Sequence, residues 1–223
     1  MVDDVLGLGK ATAEALSLLK EPVKALCGPA YEQLAGAWGD SVKHWREMRQ
    51  LDLALDAVKK LKDKGVSPQA VAPSLLFPIL DSGALEDDPD LRARWVAMLA
   101  NAADPQSGHE VRRPFASILA ELSPQEVAVL DYLAAKCVTQ TQYGEELYIA
   151  SAQHLKEALG LSPDTFGVIH DNFLRLGLIM PEGGAVQHHV ATATVGERSF
   201  LAAAQHHLVL NRLGIMFVNA CRV

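Results

Sequence analysis

The first part of the chain has the apolar spacing of amphipathic helices. Apolar residues recur at intervals of three and four, which places them on one face of a helix. The residues that follow this spacing are Tyr31, Leu34, Trp38, Val42, Trp45 and Met48, and then Leu51, Leu55, Val58 and Leu61. Val5 to Lys20 forms another such segment, which Pro22 ends. We therefore predict helices here, the last of them ending at Gly65.

Two prolines divide the sequence that follows. Ser67 and Pro68 have the order of a helix cap and a first helical residue, because a serine oxygen can accept from free N–H groups and proline needs no N–H there. Pro78 is expected to kink or split the segment SLLFPIL, since its ring opposes a continuous helix. The pattern thus predicts a helix that begins after Ser67 and is kinked or split at Pro78.

The stretch ALEDDPDLRARWVAMLANA, from Ala84 to Ala102, places carboxylates in front of an apolar stripe. The carboxylates belong to Glu86, Asp87, Asp88 and Asp90, and the stripe consists of Leu91, Trp95, Met98, Leu99 and Ala102. Asp88 can cap a helix whose first residue is Pro89, and acids favour the positive end of a helix. A divalent-cation site is the alternative, but no second cluster of carboxylates or histidines is spaced to complete it. We predict that the acids begin a helix and that Trp95 is buried between helices.

After Leu122 the pattern changes to short helices separated by strand-like segments. Ser123 and Glu126 have the spacing of a capping box, Ser151 precedes a helix that Gly160 closes, and Ser162 precedes a helix that Gly177 ends. The strand-like segments are Leu147 to Ala150, LIM and HHLVLN; Thr139 to Gly144 is read as a polar loop and RLGIMFVNAC as a last helix.

This order of elements is typical of a winged helix-turn-helix. The predicted fold class is mainly α. A helical region over residues 1–122 would be followed by a winged helix-turn-helix-like α+β domain over residues 123–223.

Four segments resemble the Abi-alpha family, bacterial proteins associated with abortive infection against phage. They are GPAYEQLAGAWGDSVKHWR (Gly28–Arg46), LEDDPDLRARWVAMLANA (Leu85–Ala102), LSPQEVAVLDYL (Leu122–Leu133) and LNRLGIMFVNAC (Leu210–Cys221). The resemblance runs in order over most of the chain. It implies a mostly helical, cytosolic defence protein, and it transfers no catalytic residues.

Composition and charge fit a globular protein that does not depend on nucleic acid. The chain has 223 residues, a net charge of −7 and 49% hydrophobic residues. Residues 65–135 hold ten acids and four bases, so the charge is concentrated there. No segment is a basic patch. Three separated cysteines, Cys27, Cys137 and Cys221, predict no disulfide, and a cytoplasmic setting is expected.

A DNA-binding transcriptional regulator is the first alternative function. The predicted recognition helix, residues 163–176, offers Arg175 and His170 but also Asp164 and Asp171. Contacts with phosphates supply most sequence-independent affinity and need Lys or Arg. We therefore expect weak binding to nucleic acid. The expected partner is another protein or a second copy of this chain.

Metal and anion sites have weak support. His188 and His189 stand before a pair at His206 and His207, with Cys221 downstream. Neighbouring residues of a strand point to opposite faces, so each pair offers one ligand per face, whereas structural zinc takes four ligands. The lysines Lys59, Lys60, Lys62 and Lys64 are read as a solvated helix end. We predict no metal and no cofactor.

No motif in the sequence indicates catalysis or a bilayer-spanning segment. The GLGK segment at Gly7 to Lys10 lacks the spacing of a phosphate-binding loop, and Cys137 or Cys221 would need a positioned histidine to act as a nucleophile. A membrane-acting effector that uses the N-terminal helix is the second alternative, but that helix lacks a strongly basic polar face. The sequence therefore predicts a non-enzymatic phage-defence protein that acts through protein–protein contacts.

Overall fold

The computed structural model describes residues 21–30, 45–136, 138–140, 146–180 and 207–222. Contacts divide the chain into two compact units. Unit 1 comprises Met1–Ala120 and Ala220–Val223, and unit 2 comprises Glu121–Asn219. The predicted mainly helical class is confirmed in the described residues. The helix predicted from Val5 to Lys20, and most of the one predicted from Tyr31 to Met48, lie outside the described residues.

Unit 1 is built from helices. Residues 21–27 are helical and lead into a 3-10 turn at Gly28–Ala30. The longer helices are α1 (Trp45–Asp63), α2 (Pro73–Gly83), α3 (Pro89–Ala103) and α4 (Pro114–Ala120).

The core of unit 1 forms where α1, α2 and α3 meet. Trp95 of α3 is only 1% exposed, which confirms its predicted burial. A Cβ atom at Gly83 of α2 would lie 2.6 Å from Cδ1 of Leu53 and 3.0 Å from Cβ of Trp95. Such distances are shorter than carbon atoms tolerate, so the absence of a side chain at Gly83 lets the three helices approach closely.

The buried face of α1 differs from the predicted one. Val58 and Leu61 are buried as expected, but Leu51 and Leu55 are only half-buried. The remaining buried apolar residues are Leu53, Ala54 and Ala57. The two alanines explain the rotation, because small side chains let neighbouring helices pack closely. The prediction followed the three- and four-residue spacing from Leu51 and was wrong at Leu51 and Leu55.

The predicted helix start at Ser67 and Pro68 is also wrong. Helix α2 begins at Pro73, and the segment before it has no regular structure. The N–H of Gln69 donates to the carbonyl of Ala103 at 2.7 Å, and that of Val71 donates to the carbonyl of Leu26 at 2.9 Å. These partners hold the backbone outside a helix. Pro78 lies inside a continuous α2 and does not split it.

A buried asparagine fixes residues 220–222 within unit 1. Asn101 lies on α3 and is only 4% exposed. Its Nδ2 donates to the carbonyl of Ala220 at 3.0 Å and to that of Arg222 at 2.7 Å. The amide thereby satisfies the last carbonyl of the terminal helix Arg212–Ala220, which has no partner within the helix, and the carbonyl of Arg222 just beyond it.

Unit 2 combines helices with a small antiparallel sheet. Its elements are α5 (Pro124–Lys136), β1 (Val138–Gln140), β2 (Glu146–Ser151), α6 (Ala152–Leu159), α7 (Pro163–Arg175), β3 (His207–Val209) and α8 (Arg212–Ala220), the last of which ends in unit 1. The strand order is β1-β2-β3. Val138 pairs with Tyr148, and Ile149 pairs with Val209. Thr139 therefore lies in a strand and not in the predicted loop, because it pairs with Leu147.

Asn211 and Gly214 position the start of α8. The Nδ2 of Asn211 donates to the carbonyls of Gly177 and Ile179 at 2.7 and 3.2 Å, and its Oδ1 accepts from the N–H of Gly214 at 2.9 Å. A Cβ atom at Gly214 would lie 2.2 Å from the carbonyl oxygen of Leu178. The backbone of α8 can lie against residues 177–179 only because position 214 has no side chain.

Candidate interaction surface

Helix α7 is the element of unit 2 that the sequence singled out. Ser162 caps it, since its Oγ accepts from the N–H of Thr165 at 3.1 Å. Pro163 occupies the first turn, and Gly177 follows the helix with a φ of 68°. Ile169 and Phe173 are its buried residues. These observations confirm the predicted start and end of the helix.

The opposite side of α7 is open to solvent. Asp164, Gly167, Val168 and Asp171 are all exposed, and their spacing places them on one face of the helix; we call them the α7 face. Val168 is 69% exposed, the larger of two such values for large apolar side chains in the described residues. A Cβ atom at Gly167 would meet no atom within 4 Å. The α7 face therefore exposes an aliphatic side chain between two carboxylates, and none of the described residues covers it.

A groove of about 650 Å³ runs between the α7 face and the start of α5. It is lined by Ser123, Gln125, Glu126, Thr165, Val168, Ile169, Asp171, Asn172 and Arg175. Seven of these residues have polar or charged side chains, and two, Val168 and Ile169, are aliphatic. Such a lining suits a peptide, which presents backbone polar groups and side chains together.

Glu126 fastens the two walls of the groove. Its Oε2 accepts from the N–H of Ser123 at 2.6 Å and from the Oγ of Ser123 at 2.8 Å, which confirms the predicted capping box. Its Oε1 accepts from Nδ2 of Asn172 on α7. Glu126 is 5% exposed. Because its two carboxylate oxygens accept from Ser123 and from Asn172, this residue joins the start of α5 to α7.

Arg175 is held by neighbouring groups. Its guanidinium lies 2.6 Å from the carboxylate of Glu121, and it donates to Oδ1 of Asn172 at 2.6 and 3.1 Å. Arg175 is the one Lys or Arg in α7. The cation that the DNA hypothesis required is thus already paired, and sequence reasoning missed both partners.

The family comparison covers most of the chain. The family model described as Abortive infection alpha matches residues 48–221, which include the α7 face and the groove. The chain belongs to the abortive infection alpha family. The resemblance predicted from the sequence is therefore confirmed. No curated protein and no solved structure gives a significant match to the chain.

In this member of the abortive infection alpha family, the acids before α3 have structural partners. Oδ1 of Asp88 accepts from the N–H groups of Asp90 and Leu91 at 3.0 Å each, which confirms the predicted cap. Oε1 of Glu86 accepts from the N–H of Asp88 at 2.9 Å. These contacts are those of a helix start.

Arg49 of α1 holds the same acidic loop, although no local sequence pattern indicates this role. Its Nε donates to the carbonyl of Ala84 at 2.6 Å, its Nη2 donates to the carbonyl of Glu86, and its Nη1 lies 3.1 Å from the carboxylate of Asp87. Within the described ranges, no group of three or more His, Cys, Asp or Glu residues could hold a metal ion.

The described cysteines are poorly suited to nucleophilic chemistry. Cys27 and Cys221 are buried free thiols. Burial raises the pKa of each to about 12, and Arg94 lowers that of Cys221 only in part. Thiols with such pKa values are almost entirely protonated at neutral pH and react slowly. Cys137 and three of the four paired histidines, His188, His189 and His206, lie outside the described residues, whereas His207 lies in β3.

The remaining sequence hypotheses concern lysines and membranes. Lys60 and Lys62 lie in the last turn of α1. Burial and the nearby Lys64 lower the pKa of Lys60.

Among the helices that the structure describes, none has the length and apolar composition needed to cross a bilayer. The N-terminal helix of the membrane hypothesis lies outside the described residues.

Proposed function

We propose that this protein restricts phage propagation in a bacterial host, and that it does so in the cytoplasm through protein–protein contacts and not through catalysis. The observation that supports this proposal is the family match, which spans residues 48–221. The α7 face is the part of the described structure best suited to such contacts. It combines an exposed aliphatic side chain with a groove of peptide size.

We interpret unit 2 as a winged helix-turn-helix-like domain that uses α7 against protein. The order α5, β1, β2, α6, α7, β3 supports this interpretation. On DNA, α7 would bring Asp164 and Asp171 toward phosphates, and like charges repel. Arg175 is engaged by Glu121 and Asn172, so it offers a phosphate little. These contacts favour a protein partner over the regulator alternative.

A plaque assay with one matched control tests the proposal. Bacteria expressing the protein would be challenged with a broad phage panel, and the wild type should lower the plaque number for at least part of it. Val168→Arg places a large charged group on the α7 face and should raise plaque numbers to those of bacteria that lack the protein. Leu85→Arg is the control, since Leu85 is the other exposed large apolar residue, at 56%, and lies in unit 1.

The outcomes separate the two parts of the proposal. Soluble wild-type protein that lowers plaque numbers for no phage would refute the role in defence. If Val168→Arg is folded and protects as well as Leu85→Arg, the α7 face has no part in defence. Surface substitutions of this kind change the free energy of unfolding by about 0.5 kcal/mol or less, so circular dichroism melting curves can verify folding.

A further inference from the structure

The charge on the α7 face is negative. Asp164 and Asp171 are exposed there, and Asp171 has the imidazole of His170 at 3.6 Å. The guanidinium of Arg175, the last residue of α7, is paired with Glu121 and therefore adds little positive charge to the surface. A basic partner would be attracted, and an acidic one would be repelled.

The shape of the α7 face admits a partner backbone at short range. Gly167 has no side chain, and within the described residues no atom lies within 4 Å of its Cβ position, so none of them stands between solvent and the helix backbone there. Val168 projects beside it and borders the groove. A small aliphatic side chain of a partner can therefore contact Val168 while flanking residues reach Asp164 and Asp171.

We infer that the α7 face binds a basic segment of a partner protein, in which Lys or Arg residues flank a small aliphatic residue. This inference rests on the proposed function, since it names the partner chemistry of the same surface. The aliphatic residue covers Val168, and the cations pair with Asp164 and Asp171. The groove holds the adjoining backbone through the hydroxyl group of Thr165 and the amide group of Gln125.

Three fluorescein-labelled peptides of twelve residues and the purified full chain test this inference by fluorescence anisotropy. One alternates Lys and Val, one alternates Glu and Val, and one alternates Lys and Gly. The Lys/Val peptide should bind most tightly, and its affinity should fall as salt is raised. Val168→Ser should reduce its affinity to that of the Lys/Gly peptide, because the aliphatic contact is lost.

Paired carboxylate substitutions separate the α7 face from the overall charge. Asp164→Asn with Asp171→Asn should weaken binding of the Lys/Val peptide about tenfold. Asp63→Asn with Glu157→Gln removes two other exposed carboxylates and should leave binding unchanged. Equal losses in both double variants would mean attraction to the net charge of −7 and would overturn the inference. Equal affinities for the Lys/Gly and Lys/Val peptides would refute the aliphatic residue of the proposed segment. Tighter binding of the Glu/Val peptide would refute its basic residues.

Combining the two assays distinguishes the failure of this inference from failure of the proposed function. If Val168→Arg abolishes defence while the Lys/Val peptide shows no preference for the α7 face, the proposed function stands and the basic partner is refuted. If the peptide binds as expected and Val168→Arg still protects, the surface binds basic segments but has no part in defence. A fluorescein-labelled duplex DNA that binds the full chain more tightly than the Lys/Val peptide does, and that loses this binding in Val168→Ser, would assign the α7 face to nucleic acid and overturn the inference.

Discussion

Helices α3 and α7 begin in the same way and lie in different surroundings. Each starts with a capping residue, a proline and an aspartate: Asp88, Pro89 and Asp90 in one, and Ser162, Pro163 and Asp164 in the other. Buried residues are found around most of α3 from Leu91 to Ala103, whereas Ile169 and Phe173 are the buried residues of α7. Helix α3 lies at the centre of a core, whereas α7 packs on one side only. Local start signals therefore locate a helix without indicating how much of it is buried.

The polar contacts of the two units differ as well: they join helices in unit 1 and leave one face of α7 exposed in unit 2. In unit 1, charged side chains bind across helices, as Arg49 does to the α2–α3 loop and Arg92 does to Asp56 at 3.0 Å. In unit 2, the contacts of Asn172 and Arg175 lie along one edge of α7 and leave the α7 face uncovered. Substitutions on a surface with few contacts change the free energy of unfolding little. Such a surface can therefore acquire residues that suit a partner without loss of the fold.

The largest expected effect concerns the core of unit 1. Trp95→Ala should lower the free energy of unfolding by about 3–5 kcal/mol, because it removes a fully buried indole and leaves a cavity. Val168→Ala, the matched change on α7, should alter it by about 0.5 kcal/mol or less. Urea unfolding followed by circular dichroism measures both. Trp95→Ala should also lose defence through loss of folded protein, and a stably folded variant that fails to protect would instead assign Trp95 to a binding surface.

Two glycine substitutions should act with opposite signs. Gly83→Ala forces a methyl group against Leu53 and Trp95 and should cost about 1–3 kcal/mol of stability. Gly167→Ala enters open space on an exposed helix and should add about 0.5–1 kcal/mol, since alanine restricts the unfolded chain and favours helix. Thermal melting of the two single variants decides the comparison. A destabilised Gly167→Ala would show that something already covers the α7 face.

The smallest expected effect concerns the acidic loop before α3. Replacing Glu86 and Asp87 by Asn should cost at most about 1 kcal/mol, because the Asp87 side chain is 81% exposed and its pair with Arg49 is screened by water. Addition of a chelator should leave the melting temperature of both proteins unchanged. The pair Asp164→Asn and Asp171→Asn should be equally mild. A stoichiometric divalent ion in the purified protein, absent from the Glu86/Asp87 variant, would contradict this prediction.

Local features of the fold could be predicted from the sequence. The caps at Asp88, Ser151 and Ser162 and the capping box of Ser123 each depend on atoms within three residues along the chain. Such contacts form whenever the helix forms, so a short pattern is sufficient to identify them. The predicted burial of Trp95 had a similar basis, since its stripe is regular over several turns.

Contacts between distant residues could not be predicted in this way. The segment at Ser67 and Pro68 was misassigned because its backbone binds Ala103 and Leu26, which no local pattern shows. In the candidate interaction surface, the acids and Arg175 could be named from the sequence. The pairing of Arg175 with Glu121, the Glu126–Asn172 bond and the groove could not, because they depend on how α7 meets α5. An asparagine inside an amphipathic helix is the one local signal of such a bond.

The amide of Asn101 links the folding of unit 1 to the order of synthesis. Its two acceptors, the carbonyls of Ala220 and Arg222, are made more than a hundred residues after it. Domains generally fold as they leave the ribosome, beginning at the N-terminus. Here the amide must wait for residues 220–222, since an unsatisfied polar group in a buried site is unfavourable. Unit 1 therefore reaches its final packing only after all of unit 2 has been translated, so a truncated product would carry an unfinished helical core.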